Sequence, residues 1–159
     1  MIKTIAISLV FILLAPTATF AQSQQKAEKE FVTHLNNILK DSDEQHWKYK
    51  GAMTIDSAFA INKEGILSVT VRYTDDTSFI RTRMEAPVKN IKRVAYDLYL
   101  ILEYNKEEVT VYESEINSNE LKESSKTNYF HIGAPLPEDM KRQEKLQKLL
   151  DKVMVFYKN

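Results

Sequence analysis

Hydrophobic and polar positions divide the chain into three patterns. Residues 5–14 are almost wholly apolar, residues 27–40 repeat apolar side chains every three or four positions, and residues 53–113 mostly alternate. The middle pattern predicts an amphipathic helix. Ala27, Phe31, Leu35, Ile38 and Leu39 fall on one face, and Asp41-Ser42-Asp43 marks its end. The alternation predicts strands. Met53, Ile55, Phe59 and Ile61 share one face of the first, and Leu67, Val69, Val71 and Tyr73 share one face of the second.

The apolar rows set the pairing of these strands. A three-residue loop, Lys63-Glu64-Gly65, pairs Asn62 with Ile66 and Ile61 with Leu67, so both rows face one core. Such loops commonly end in a left-handed residue, which Gly65 suits. A four-residue turn, Thr74 to Thr77, then pairs Tyr73 with Ser78, Val71 with Ile80 and Leu67 with Met84. The third strand, 78–85, points Ile80 and Met84 inward and Phe79, Arg81 and Arg83 outward.

After Pro87, residues 90–96 read as a short strand or a turn. Leu98, Leu100 and Leu102 alternate with Tyr99 and Ile101. A strand apolar on both faces is predicted to be central and covered twice. Val109 to Glu113 alternates again, the polar stretch 114–127 predicts a loop, and Tyr129 to Ile132 predicts a last short strand. Gly133 to Pro137 forms a hinge into a final helix, with proline in the first turn and Glu138 and Asp139 at its positive end. Leu146, Leu149, Leu150, Val153 and Tyr157 line its apolar face.

Helix, about six antiparallel strands and helix make an α+β domain: a meander sheet covered by helices. This element order resembles the pleckstrin-homology-like architecture. The resemblance is one of order alone and implies no function.

The N-terminus changes the picture of where such a domain works. Lys3, the apolar run and Thr19-Phe20-Ala21 follow the three-part pattern of a secretory signal peptide. The run is shorter than the roughly 20 residues of a membrane span. Residues 1–21 are therefore expected to be removed, leaving one α+β domain at 22–159 with no membrane span, periplasmic or secreted. Loss of Lys3 leaves 21 basic against 22 acidic side chains, so net charge argues for no nucleic-acid partner. The chain has no cysteine, which excludes disulfides, thiol catalysis and cysteine metal sites.

Candidate chemistry is sparse. Three histidines stand apart in sequence: His34, His46 and His131. His34 lies one helical turn after Glu30, which reads as a surface pair, because metal sites need three or four ligands. Asp41 to His46 imitates the start of a calcium loop. It places His46 where the turn glycine belongs and Ala52 where the bidentate glutamate belongs, so it reads as a helix stop. Three glycines are too few for a serine elbow, a phosphate loop or a dinucleotide fingerprint. No catalytic or metal-binding residue is singled out, and no cofactor is expected.

Two basic features remain. Arg72, Arg81 and Arg83 are expected on the outer face of adjacent strands, beside Thr70 and Phe79, where guanidinium groups would bind an anionic ligand. Asp56, expected opposite Arg72, offers an ordinary cross-strand pair instead. Lys141, Lys145, Lys148 and Lys152 form a stripe on the final helix and read as a solvated face rather than a lipid-docking one. The tyrosines, Tyr96, Tyr99, Tyr104, Tyr112, Tyr129 and Tyr157, suit half-buried strand positions or a ligand pocket.

The sequence thus points to a small exported binding or accessory domain, acting on a protein or a small anionic ligand through its sheet surface or a shallow pocket. Its rivals are a cofactor-independent hydrolase assembled from distant carboxylates and a histidine, and a carrier of a lipid or other apolar ligand. Cleavage is expected before Gln22. The intact mass of exported protein checks this, and a mass that retains residues 1–21 sinks it.

Overall fold

The computed structural model describes residues 15–45 and 53–157. Helix α1 (Ala15–Gln45) opens the fold, and eight strands follow: β1 (Met53–Ile61), β2 (Ile66–Asp75), β3 (Ser78–Pro87), β4 (Ile91–Asp97), β5 (Tyr99–Tyr104), β6 (Val109–Ser114), β7 (Leu121–Thr127) and β8 (Tyr129–His131). Helix α2 (Met140–Met154) closes it. The α+β class and the flanking helices agree with the sequence. Among the described residues the strands number eight rather than about six, and they form two sheets rather than one meander. A five-stranded antiparallel sheet has the order β1-β2-β3-β6-β7, and a three-stranded one has the order β4-β5-β8. The chain leaves the larger sheet after β3, builds β4 and β5, returns for β6 and β7, and crosses again for β8.

The first hairpin follows the expected register at its turn. Ile61 pairs with Leu67, and Asn62 N donates to Ile66 O at 3.0 Å. Gly65 has φ +74°, as its turn position demands. Further along β1 the register slips twice, between Ser57 and Ala60 and between Ile55 and Ser57, so that Thr54 rather than Asp56 lies opposite Arg72. Two one-residue slips cancel in side-chain parity, so Met53 and Phe59 both stay buried.

The second turn is tighter than the sequence suggested. Asp75 pairs with Ser78, which moves the register by two: Tyr73 meets Ile80, Val71 meets Thr82 and Val69 meets Met84. A shift of two preserves every face, so the arginines still point outward.

Other boundaries also move. Helix α1 extends beyond 27–40 in both directions and runs on to Gln45. Residues 121–127, expected as loop, form β7, whose polar side chains suit an exposed strand with nothing apolar to cover. Helix α2 starts at Met140, not at the prolines. Asp139 caps it by accepting from the backbone N–H of Lys141 at 3.0 Å and of Arg142 at 3.2 Å. No described helix is long and apolar enough to cross a membrane.

One core joins all the layers. Phe31, Leu35, Ile38 and Leu39 of α1 are at most 1% exposed, and they meet Leu67 and Val69 of the large sheet, Leu100 and Leu102 of the small one, and Leu146 and Leu150 of α2. Strand β5 is central, as predicted: Leu100 and Ile101 point to opposite faces and are both buried. Leu98 instead sits exposed at the β4–β5 turn with φ +59°.

Amide side chains tie the helices to strand edges. Asn36 donates to Phe59 O at 3.2 Å and accepts from Phe59 N at 2.8 Å, within the Ser57–Ala60 slip of edge strand β1. Gln147 accepts from Val94 N at 2.8 Å and Gln143 donates to Val94 O at 3.4 Å, on edge strand β4. Each pair completes backbone groups that no neighbouring strand reaches. A further clamp joins α1 to the hinge. Buried Ser42 donates from Oγ to Leu39 O at 2.7 Å, and the same oxygen accepts from Ala134 N at 3.0 Å.

The two glycines at positive φ separate strain from steric exclusion. A Cβ on Gly65 would lie 2.9 Å from Tyr157 Cε1, at the end of a movable ring. On Gly133, at φ +80°, it would lie 2.2 Å from Ser42 Oγ, inside the clamp. Gly65→Ala is expected to cost about 1–2 kcal/mol, the left-handed penalty. Gly133→Ala is expected to cost roughly 2–4 kcal/mol, because it adds a broken buried hydrogen bond. Urea unfolding of both variants checks the order, and equal costs would contradict it.

Candidate functional site

Sequence pointed to Arg72, Arg81 and Arg83, and the structure brings them together on the outer face of the large sheet. Arg72 lies directly across from Arg81, and Arg83 sits opposite Thr70 on one side and Tyr112 on the other. Like charges directly opposite repel. The slips in β1 resolve this by freeing Asp56 to reach both. Its Oδ2 accepts from Arg72 Nη2 at 3.1 Å and from Arg81 Nε at 2.5 Å. Arg83 forms its own ion pair with Glu85.

Arg72 and Arg81 also hold the β6–β7 loop, while Arg72 Nε and Arg83 Nε are buried without a hydrogen-bond partner. Arg81 Nη1 donates to the Asn119 carbonyl at 2.8 Å, and Arg72 Nη2 donates to Asn119 Oδ1 at 3.4 Å. Asn117 exchanges two hydrogen bonds of 2.9 Å with the backbone of Phe79, whose ring lies 4.6 Å beneath the Arg72 guanidinium carbon. Arg81 N donates to Ser114 Oγ at 2.9 Å. Three arginines therefore meet two carboxylates and a loop already fitted to them. Burial pushes the Asp56 carboxyl up, but the hydrogen bonds and charges of Arg72 and Arg81 outweigh it and hold the group below the usual carboxylate range.

The histidines do not converge. His34 lies in a groove between the helices, while Glu30 pairs with Lys152 at 3.7 Å. His46 and Ala52, the calcium-loop positions, fall outside the described residues. Among the described residues no group of three histidines or carboxylates is placed to hold a metal. His131 stacks on Tyr99, with ring centroids 4.7 Å apart.

That aromatic pair borders a cleft of about 160 Å³ between the two sheets. Val69, Val71 and Tyr73 of β2, with Thr82 and Met84 of β3, make one wall. Tyr99 of β5 and His131 of β8 face them, and Leu39 and Gly133 complete the lining. Pairing of Ile101 with His131 places Tyr99 two residues along on the same face, which explains the stacking. Burial lowers the basicity of the His131 imidazole, and the Asp97 charge opposes this only in part. In its neutral form the ring offers one donor and one acceptor. No carboxylate lines the cleft.

Tyr96, Tyr104 and Tyr157 lie away from the cleft. Tyr96 donates to Leu136 O at 2.8 Å, and Tyr157 donates to Glu28 at 2.7 Å. Tyr104 is buried in the core, which pushes its hydroxyl pKa far up. The row Val69, Val71, Tyr73 was legible as core-facing. The pairing of β5 with β8, which sets His131 against Tyr99, has no local signal. No known protein family, curated protein or solved structure matches the chain.

Because the folded-state pKa of Asp56 is depressed, its charged form stabilises the fold above the ordinary aspartate value of about 4. That contribution is lost as pH falls through the depressed value. The stability difference between wild type and Asp56→Asn should be full near neutral pH and shrink in acid. Urea midpoints measured across that range check it, and a difference independent of pH would refute the shared ion pair.

Proposed function

We propose that the chain is a small exported binding domain without a cofactor, and that its ligand is a small apolar molecule, or the apolar end of a larger one, held in the cleft between the sheets. The observation that carries this reading is the cleft's volume and lining. About 160 Å³ matches the size of cavity that takes up benzene in other proteins. Its walls are largely aliphatic and aromatic, and its polar groups are few: the Thr82 and tyrosine hydroxyls and the His131 imidazole. Apolar walls with a few polar groups are the usual composition of small-molecule sites.

The same observation favours a carrier or sensor over a hydrolase. Acid–base chemistry would need a partner for His131 among the lining residues, and the lining offers no carboxylate. The outer-face arginines favour a structural role, because Asp56, Glu85 and Asn119 already engage them.

Phenol is a suitable probe, since it joins an aromatic body to a hydroxyl that His131 or Tyr99 can meet. Its addition should move the methyl resonances of Val71 and Met84 and the ring signals of His131. Thr82→Phe should fill the cleft and abolish these shifts while leaving the thermal midpoint close to wild type. Absence of shifts in the wild type, or equal shifts in a folded Thr82→Phe protein, would reject the cleft as the site.

A further inference from the structure

A second site follows from the way the two helices pack. They run antiparallel, because Glu30 pairs with Lys152 at 3.7 Å while Asp41 pairs with Arg142 at 4.0 Å. A groove of about 490 Å³ lies along them. Helix α1 lines it with Lys26, Lys29, Glu30, Thr33, His34 and Asn37, and α2 adds Lys145 and Leu149. The ion pairs engage Glu30 and the nearby Asp41. Lys26, Lys29 and Lys145 form no ion pair among the described residues, so three ammonium groups outnumber the one lining carboxylate, that of Glu30, which is paired with Lys152.

His34 registers the resulting field. Burial lowers the basicity of its imidazole, the positive charges of Lys145 and Arg142 lower it further, and only Asp41 opposes them. Its Nε2 is shut off from solvent and has no hydrogen-bond partner. The Thr33 hydroxyl and the Asn37 amide add neutral hydrogen-bonding groups to the lining.

We propose that this groove binds a phosphate monoester. Ammonium groups are compact point charges that approach a tetrahedral anion from several directions, and lysine is a common phosphate ligand. The groove is much larger than one phosphate. Leu149 and the methylene stems of the lysines leave room for the organic part of the ligand. A soluble ester and a lipid head group share this chemistry. The site is separate from the cleft between the sheets and does not depend on it.

Glycerol 3-phosphate and vesicles of phosphatidylcholine doped with phosphatidic acid distinguish the two sources. A soluble ester should raise the His34 imidazole pKa in an NMR titration and shift the amides of Lys29, Thr33 and Lys145, with an affinity that falls as salt rises. A lipid ligand should instead carry the protein down with the doped vesicles on sedimentation. Lys145→Gln removes one charge-assisted contact and should weaken either response about tenfold. Lys145 is exposed, so the fold should survive its replacement. Lys148→Gln alters an exposed lysine outside the groove and should leave the response unchanged. The proposal fails if neither probe binds, or if both variants weaken binding equally, which would mark a diffuse charge effect.

Discussion

Everything in this fold is arranged around one apolar stripe. Phe31, Leu35, Ile38 and Leu39 are almost wholly removed from water, each contributing roughly 1.5–3 kcal/mol of transfer free energy. A helix has more than one side to hide. Helix α1 packs against β1 of the large sheet and against α2, which in turn packs on β4 of the small sheet, and all three layers share its core. Without disulfides, this shared burial is the principal force that keeps three layers in register.

The same constraint leaves the cleft. One helix cannot cover the whole inner face of a five-stranded sheet, and the small sheet lies across a gap from part of it. Where the three surfaces fail to close, Val71, Tyr73, Thr82 and Met84 look across a gap at Tyr99 and His131. Apolar side chains in such a gap lose packing contacts that a ligand would restore. This physical asymmetry, rather than any one reactive group, distinguishes the cleft from the outer sheet face, where charge is already answered by charge.

Legibility in the sequence followed locality. The hairpin at Gly65, the apolar face of α1 and the double-sided burial of β5 were all readable, because each rests on spacing within one segment or between neighbours. The outward face of the arginines survived a wrong register, since side-chain parity tolerates a slip of two. Strand β7 was not readable, because its sequence, LKESSKT, has no apolar row to betray a strand. The split into two sheets was hidden for a different reason. Pairing Thr82 with Glu113 and Ile101 with His131 depends on contacts about 30 residues apart, and alternation says only that a strand has an inner face. The cationic groove was half visible. The lysine stripe of α2 was plain, but Lys26 and Lys29 join Lys145 only through helix packing.

The amide ties on β1 and β4 bear on how other molecules can approach. A free strand edge invites another chain to extend the sheet through its backbone. Here Asn36 occupies the backbone groups of Phe59, and Gln143 and Gln147 occupy those of Val94. The two opposite edges are guarded differently: β7 carries Lys122 and Lys126, and β8 has only three residues. All four margins therefore resist strand addition. Self-assembly into extended sheets is disfavoured by construction.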